Sequence, residues 1–382
     1  MLNRQIRILH ALGAMNPGGI ETWLMHVLRN IDRSQFQMDF CLFGSEPGLY
    51  ATEIEGFGST IWRCQMSGNL WSFRRQFRQI LREGEYDVVH SHVHFFSGNV
   101  LRWAKAQSVP VRIAHSHTTH DGRSDVLMRR FYRGLMQSWI ERYATHGLAA
   151  SRSSASALFG ENWERDDRNC VLHYAVDLHP FQEPVDREKV RKQLGLPPGV
   201  PVMGHVGRFS REKNHIFLLE IAVEILKRRP EIHFLLVGDG PLRPVMQSRA
   251  KSMGLSDKVH FTGIRTDVAR LMRGAMDVFI FPSLWEGLGV ALIEAQAAGL
   301  RCIVSDVCPT EVSILPDQFT QVSLSKSSEV WAANIIKALE CGKVAGELPL
   351  QIMAQTDFSS QQSIRKLANL YKAAYSERLH AA

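Results

Sequence analysis

Two glutamates with seven residues between them, Glu286 and Glu294, stand in the segment Pro282-Ser283-Leu284-Trp285-Glu286-Gly287-Leu288-Gly289-Val290-Ala291-Leu292-Ile293-Glu294-Ala295. The first falls in a stretch of loop composition, the second a turn or so into an apolar helical run. A carboxylate accepts hydrogen bonds from both hydroxyls of a ribose or hexose, and the N–H groups of Gly287, Leu288, Gly289 and Val290 at a helix start can hold sugar or phosphate oxygens. Packing gives no reason for Glu294, because it interrupts an otherwise apolar face. A second segment, Gly207-Arg208-Phe209-Ser210-Arg211-Glu212-Lys213-Asn214, sets Arg208 and Lys213 around one turn. Two cations directed at one point suit a diphosphate, each charge-assisted hydrogen bond contributing about 1.5–3 kcal/mol. The plain alternative is a solvated loop. In a third segment, Asn16-Pro17-Gly18-Gly19-Ile20-Glu21, Gly18 and Gly19 let backbone N–H groups approach a phosphate with no side chain between. It lacks GxGxxG and the P-loop Lys-Ser/Thr, so a simple tight turn accounts for it equally well.

Each segment follows an apolar run and leads into a helical one, where ligands of doubly wound sheets bind. In the first half, strand-like runs Ile6–Ala11, Gln37–Phe43, Ser59–Cys64, Asp87–Ser91 and Val111–Ala114 alternate with helical stretches that include Ile20–Asn30, Leu70–Arg82 and Leu127–Arg142. The order reads as βαβ units on a parallel sheet. Prolines at 180, 184, 197, 198 and 201 interrupt the pattern, and a fresh strand is expected at Val202–Val206. From there the alternation resumes: helix Asn214–Arg229, strand Ile232–Val237, helix Leu242–Met253, strand Val259–Thr262, helix Asp267–Ala275, strand Val278–Phe281, helix Val290–Ala298, strand Cys302–Ser305. Gly254 and Gly299 fall where helix C-caps belong. The predicted domains are 1–180 and 181–357, with a terminal helix of about 358–380 packing back on the first.

A chain of 382 residues suits two domains, and 45% hydrophobic with 22% charged residues is ordinary globular composition. No run reaches the roughly eighteen apolar residues that cross a bilayer. The stretch Ile6–Met15, broken by Arg7 and His10, does not resemble a signal peptide. Cys41, Cys64, Cys170, Cys302, Cys308 and Cys341 show no CxxC pairing, which disfavours structural zinc or a disulfide framework and fits a reducing cytoplasm. The net charge of +7 is concentrated in the segments at 69–83 and 126–144, where arginines mix with Trp71, Phe73, Phe77, Phe131, Tyr132 and Trp139. Such helices can lie on an anionic membrane; the alternative is aromatics facing the core and arginines facing water. No basic tail or RNA-binding motif supports a nucleic-acid partner.

Taken together, "PSLWEGLGVALIEAQAAG" with its E-x7-E pattern, "GRFSREKN", "LLVGDGPLR", "DVVHSH" and "NPGGIETW" resemble glycosyltransferase family 4 along nearly the whole chain. The resemblance implies the GT-B fold, two Rossmann-like α/β domains facing each other across a cleft. It further implies a retaining transferase acting on a nucleotide-sugar donor, a UDP-sugar by family habit. Arg208 and Lys213 would bind the donor diphosphate and Glu294 the ribose. Glu286, with the Gly287, Leu288 and Gly289 backbone, would contact the donor sugar, and Gly18 and Gly19 would approach the phosphate. The family also places a histidine near the reacting sugar, for which "RIAHSHTTH" offers His117, then His115, then His120. One departure is Tyr174-Ala175, where the family commonly carries Asn-Gly before Val-Asp-Leu.

Front-face substitution through an oxocarbenium-like state is the implied mechanism, with Arg208 and Lys213 stabilising the departing diphosphate as a metal does elsewhere. No metal or other cofactor is expected, and the sequence contains no Asp-x-Asp triplet. Domain closure with a hinge in Val176–Pro201 would exclude water. The expected acceptor is a lipid-linked saccharide in cell-surface polysaccharide assembly, at the inner face of the membrane. A sugar-phosphate-forming synthase and a non-catalytic nucleotide-sugar-binding module of the same fold are the alternatives.

Overall fold

The computed structural model describes residues 4–65, 69–120, 126–344 and 346–380. The chain divides into two compact units, one of Met1–Ala175 with Ser360–Ala382, the other of Val176–Ser359.

Among the described residues the first unit carries seven parallel strands: β1 Ile6–Leu12, β2 Phe36–Leu42, β3 Ile61–Arg63, β4 Val88–Ser91, β5 Val111–Ser116, β6 His146–Ala149 and β7 Asn169–Val171. Their order is β3-β2-β1-β4-β5-β6-β7, so the chain reverses its winding between β1 and β4. Near-continuous burial along β1, β4 and β5 fits strands covered on both faces. Helices Leu70–Gly84, Ser97–Lys105 and Leu127–Tyr143 share one core that includes Phe73, Phe77, Trp103, Met136 and Ile140. The terminal helix Ser360–His380 belongs to this unit: Tyr371 is fully buried against Phe36, and the Ser363 hydroxyl donates to the His173 carbonyl at 3.0 Å.

The second unit carries β8 Val202–Val206, β9 His233–Val237, β10 Val259–Gly263, β11 Val278–Phe281, β12 Arg301–Ser305 and β13 Phe319–Val322, all parallel, in the order β10-β9-β8-β11-β12-β13. Here the winding reverses between β8 and β11. Its core sets Phe234, Leu236, Val278 and Ile280 of the sheet against Leu218, Ile221 and Ile225 of helix His215–Arg228 and Trp331 and Ile335 of helix Ser328–Cys341. Gly254 and Gly299 adopt φ of +71° and +73° just past their helices, the expected capping conformation.

The boundary after residue 180 is corrected to Ala175/Val176. Pro180 does not end a domain. It opens a 3₁₀ turn, His179–Phe181, whose Phe181 is buried within the second unit, and the Arg273 guanidinium donates to the Glu183 carbonyl there. The return crossing at Ser359/Ser360 runs beside the first, since the Val176 N–H donates to the Phe358 carbonyl at 3.0 Å.

Candidate functional site

In the second unit, β8 and β11 flank the winding reversal, and the loops after them are the two chemistry-bearing segments. A topological switch point opens a crevice at the strand ends, so the fold itself brings these loops together. They are tied directly: the Leu284 N–H donates to the Glu212 carbonyl at 2.7 Å, and the Asn214 amide donates to the Pro282 carbonyl at 3.1 Å. Between them the Lys213 ammonium meets the Glu286 carboxylate at 2.5 Å, both side chains largely buried at 17% and 8% exposure. Lys213 also lies 4.7 Å from the Phe281 ring centroid. Arg208 is exposed, and no hydrogen-bond or ion-pair partner for its guanidinium occurs among the described residues.

The "LLVGDGPLR" segment has a structural reason. Gly238, at φ +133°, passes so close to the Gly207 backbone that a Cβ would lie 2.1 Å from the Gly207 carbonyl oxygen. Gly240 crowds the Phe209 carbonyl in the same way, at 2.6 Å. These glycines press the strand β9 loop against the Arg208 loop and fix its path.

Helix Val290–Ala297 starts from Gly289, whose φ of +83° is left-handed, and no side chain caps it. Glu294, half-buried on that helix, has no hydrogen-bond or ion-pair partner among the described residues, and burial pushes its carboxyl up to about 7. A poorly solvated carboxyl without a protein partner is prepared to accept from a ligand diol. Arg208, Lys213, Glu286, Gly287, Leu288, Gly289 and Glu294 thus all lie in the second unit, where Lys213 and Glu286 meet.

In the first unit, Gly18 and Gly19 open helix Gly19–Asn30, again without a side-chain cap. A Cβ on Gly18 would lie 2.5 Å from a Glu21 carboxylate oxygen, so glycine leaves room for that carboxylate to fold back. The histidines are not a polar surface loop. His115 sits on β5, wholly buried, with Nδ1 3.0 Å from His90 Nε2. That placement withdraws His115 from contact with a substrate. His117, two residues on and just past the strand, is half-buried; His120 is exposed.

Sequence reasoning missed what surrounds His117. His10 on β1 and His90 on β4 are register partners, and His92 follows His90 by two residues. The rings of His10, His90, His92, His115 and His117 form one stack of contacts, with Trp23 and Tyr174 against it. Ring nitrogens of His10, His90 and His92, and of His92, His115 and His117, come within 4.8 Å of one another. They are engaged with each other: His10 Nδ1 with His92 Nε2 at 3.0 Å, and His92 Nδ1 with His117 Nε2 at 2.7 Å. Burial and mutual repulsion hold His90, His92, His115 and His117 well below the ordinary imidazole range, and burial lowers His10 to about 3. The available signal was the repeat His90-Ser91-His92 and His115-Ser116-His117 at the ends of adjacent strands. Spacing by two puts both members on one face.

Residues 18–175 match the family described as Glycosyl transferase 4-like domain, and residues 186–372 the family described as Glycosyl transferases group 1. The chain is 34% identical over 377 residues to a protein of Bacillus subtilis (strain 168) named putative glycosyltransferase EpsF, covering 97% of each. It is 29% identical over 239 residues, 60% of each chain, to an Escherichia coli protein named UDP-Gal:alpha-D-GlcNAc-diphosphoundecaprenol alpha-1,3-galactosyltransferase. Among solved structures, Anabaena Alr3699/HepE in complex with UDP superposes with a TM-score of 0.76 at 20% identity, over 96% of this chain and 100% of that one. This last likeness shows the fold.

Proposed function

Because the chain belongs to glycosyltransferase family 4, with the GT-B fold of two Rossmann-like domains, we propose that it is a retaining hexosyltransferase that moves a sugar from a UDP-sugar to a lipid-linked saccharide in cell-surface polysaccharide assembly. The observation that carries this reading is the buried Lys213–Glu286 ion pair at the β8/β11 switch point, with Arg208 on the loop of Lys213 and the partnerless Glu294 on the helix that follows Glu286. Glu294 would accept from the ribose hydroxyls. Arg208 and Lys213 would neutralise the diphosphate as the bond from the anomeric carbon to its oxygen breaks. Glu286, held by Lys213 and followed by the Gly287 to Gly289 backbone, would meet the donor sugar. His117 is the candidate of the first unit at the reacting sugar. Uracil and a lipid-linked acceptor are supported by the HepE complex with UDP and by the name of the Escherichia coli relative, a galactosyltransferase acting on a diphosphoundecaprenol-linked sugar.

The two cations take the place of a metal ion in this reading. Turnover of UDP-sugar with membrane lipid extract is therefore expected to continue unchanged in excess EDTA. Loss on chelation, restored by Mn²⁺ or Mg²⁺, would overturn metal independence; absence of product with and without chelator would overturn the transferase reading.

No helix among the described residues is long and apolar enough to cross a membrane. The mixed segments divide as amphipathic helices do: Phe73 and Phe77 are fully buried, whereas Trp71, Leu127, Met128 and Phe131 are 76%, 83%, 79% and 72% exposed. Arg74 lies 5.6 Å from the Trp71 ring and Arg129 4.7 Å from the Tyr132 ring. Exposed aromatics beside arginines fit peripheral contact with an anionic bilayer at its cytoplasmic face. Each aromatic that enters the interface contributes about 1.5–3 kcal/mol. Trp71→Ala with Phe131→Ala is therefore expected to lower co-sedimentation with anionic vesicles at least about tenfold. Equal sedimentation of both proteins would remove this contact.

A further inference from the structure

Tyr174, which stands at the departure from the family's Asn-Gly, ends a chain of hydrogen bonds that is buried at its His10 end. It runs from His10 Nδ1 to His92 Nε2 at 3.0 Å, from His92 Nδ1 to His117 Nε2 at 2.7 Å, and from His117 Nδ1 to the Tyr174 hydroxyl. We propose that His92 and Tyr174, backed by His10, are positioning residues that fix His117 as the neutral tautomer protonated on Nδ1, with both ring nitrogens committed within the protein.

The direction of the chain follows from its His10 end. With His10 and His92 buried and His117 half-buried against them, three imidazoles in contact cannot share a positive charge cheaply, so each is neutral and carries one N–H. Such a chain can point only two ways. If it pointed toward His10, the last N–H would be His10 Nε2, which is buried and has no partner among the described residues. An orphaned buried N–H is rare and costly, about 1–3 kcal/mol. If it points toward Tyr174, the phenol oxygen accepts from His117 Nδ1–H, and His10 Nε2 is left a bare ring nitrogen beside the Phe40 and His90 rings. At that end the Tyr174 phenol lies in the field of the Glu21 carboxylate, which with burial keeps it protonated. The His10 end therefore selects the direction toward Tyr174.

Alongside runs a second chain, Tyr371 hydroxyl to His90 Nδ1 at 2.7 Å and His90 Nε2 to His115 Nδ1 at 3.0 Å. Its rings pack against those of the first. With Nδ1–H donating and Nε2 accepting, His117 has no free lone pair with which to take a proton from an acceptor hydroxyl. It presents a fixed, uncharged ring, as the buried aspartate partner of a catalytic triad fixes its histidine's tautomer. The link to turnover rests on His117 lying at the reacting sugar; the tautomer does not.

Nitrogen-15 NMR of the full chain labelled at histidine reads the tautomer directly. Wild type is expected to show a protonated Nδ1 and a bare Nε2 at His117 at neutral pH, and Tyr174→Phe a mixture of both tautomers. His92→Asn, whose amide can donate to His117 Nε2, is expected to keep both the tautomer and kcat. His92→Phe should lose the tautomer and lower kcat about ten- to a hundredfold with donor KM little changed. A wild-type His117 protonated on Nε2 or on both nitrogens, or a stoichiometric transition metal found by elemental analysis of the purified protein, would overturn the proposal. Equal spectra and kcat for wild type, Tyr174→Phe and His92→Phe would do so as well. Wild-type protein with the expected spectrum but no transfer would instead count against the transferase reading.

Discussion

Lys213→Ala is expected to lower kcat by about 10²–10³-fold, the scale of removing one preorganised group from a site of developing charge. The same substitution is expected to lower stability by about 3–5 kcal/mol, because the buried Glu286 carboxylate loses the ammonium 2.5 Å away. The two effects separate in a double-mutant cycle. Lys213→Ala with Glu286→Ala recovers stability relative to Lys213→Ala alone, since no buried charge is then left without its counter-ion, while transfer stays lost. Denaturant unfolding of the four proteins beside initial rates checks both halves. Additive stabilities would contradict the coupling, and a rate within threefold of wild type for Lys213→Ala would remove Lys213 from the chemistry.

Glu294→Gln is expected to make the protein more stable and less able to bind its donor. Below about pH 4.5 the Glu294 carboxyl is protonated folded and unfolded, and the variant and wild type are equally stable. As pH rises from there to about 7 the unfolded chain ionises while the folded one resists, so wild type loses stability; above about 7 the loss is complete, at about 3 kcal/mol. Glutamine never ionises and avoids that cost. Donor binding runs the other way. A ribose diol donates to the carboxylate, so wild-type affinity for UDP weakens as pH falls below about 7, by up to tenfold per pH unit, while the variant binds weakly at every pH. The charged hydrogen bonds forgone are worth about 1.5–3 kcal/mol each. Thermal unfolding at pH 5 and pH 8 with UDP titrations at both checks this. A variant no more stable than wild type at pH 8, or wild-type affinity that does not change with pH, would contradict it.

The Lys213–Glu286 pairing in the second unit was legible in the sequence because each of its segments is contiguous. Arg208 and Lys213 share one loop, Glu286 and Glu294 one loop and helix, and the parallel topology puts both loops at the β8/β11 switch point. The strands and helices named from periodicity differ from the structure mostly by a residue or so at their ends. The short strands β6, β7 and β13 escaped, since "HGLA", "NCV" and "FTQV" have neither length nor sustained apolar alternation. Their pairing supplies what their composition does not. The histidine half was not legible. His10, His92, His117 and Tyr174 come from four separate segments, and only the β1-β4-β5 order brings them within hydrogen-bonding reach. Spacing within "RIAHSHTTH" could not say that β5 continues through Ser116 and buries His115 while releasing His117. Proline likewise marked a break at 180 but not its kind, which the burial of Phe181 decides.

The most direct measurement is mass-spectrometric detection of product when a panel of UDP- and GDP-sugars is offered with membrane lipid extract to wild type and to Glu294→Ala. The account predicts that wild type extends a lipid-linked saccharide by one hexose from a UDP-sugar, and that the folded variant makes no product. Well-folded wild-type protein that neither transfers nor hydrolyses any donor, or a variant as active as wild type, would contradict it.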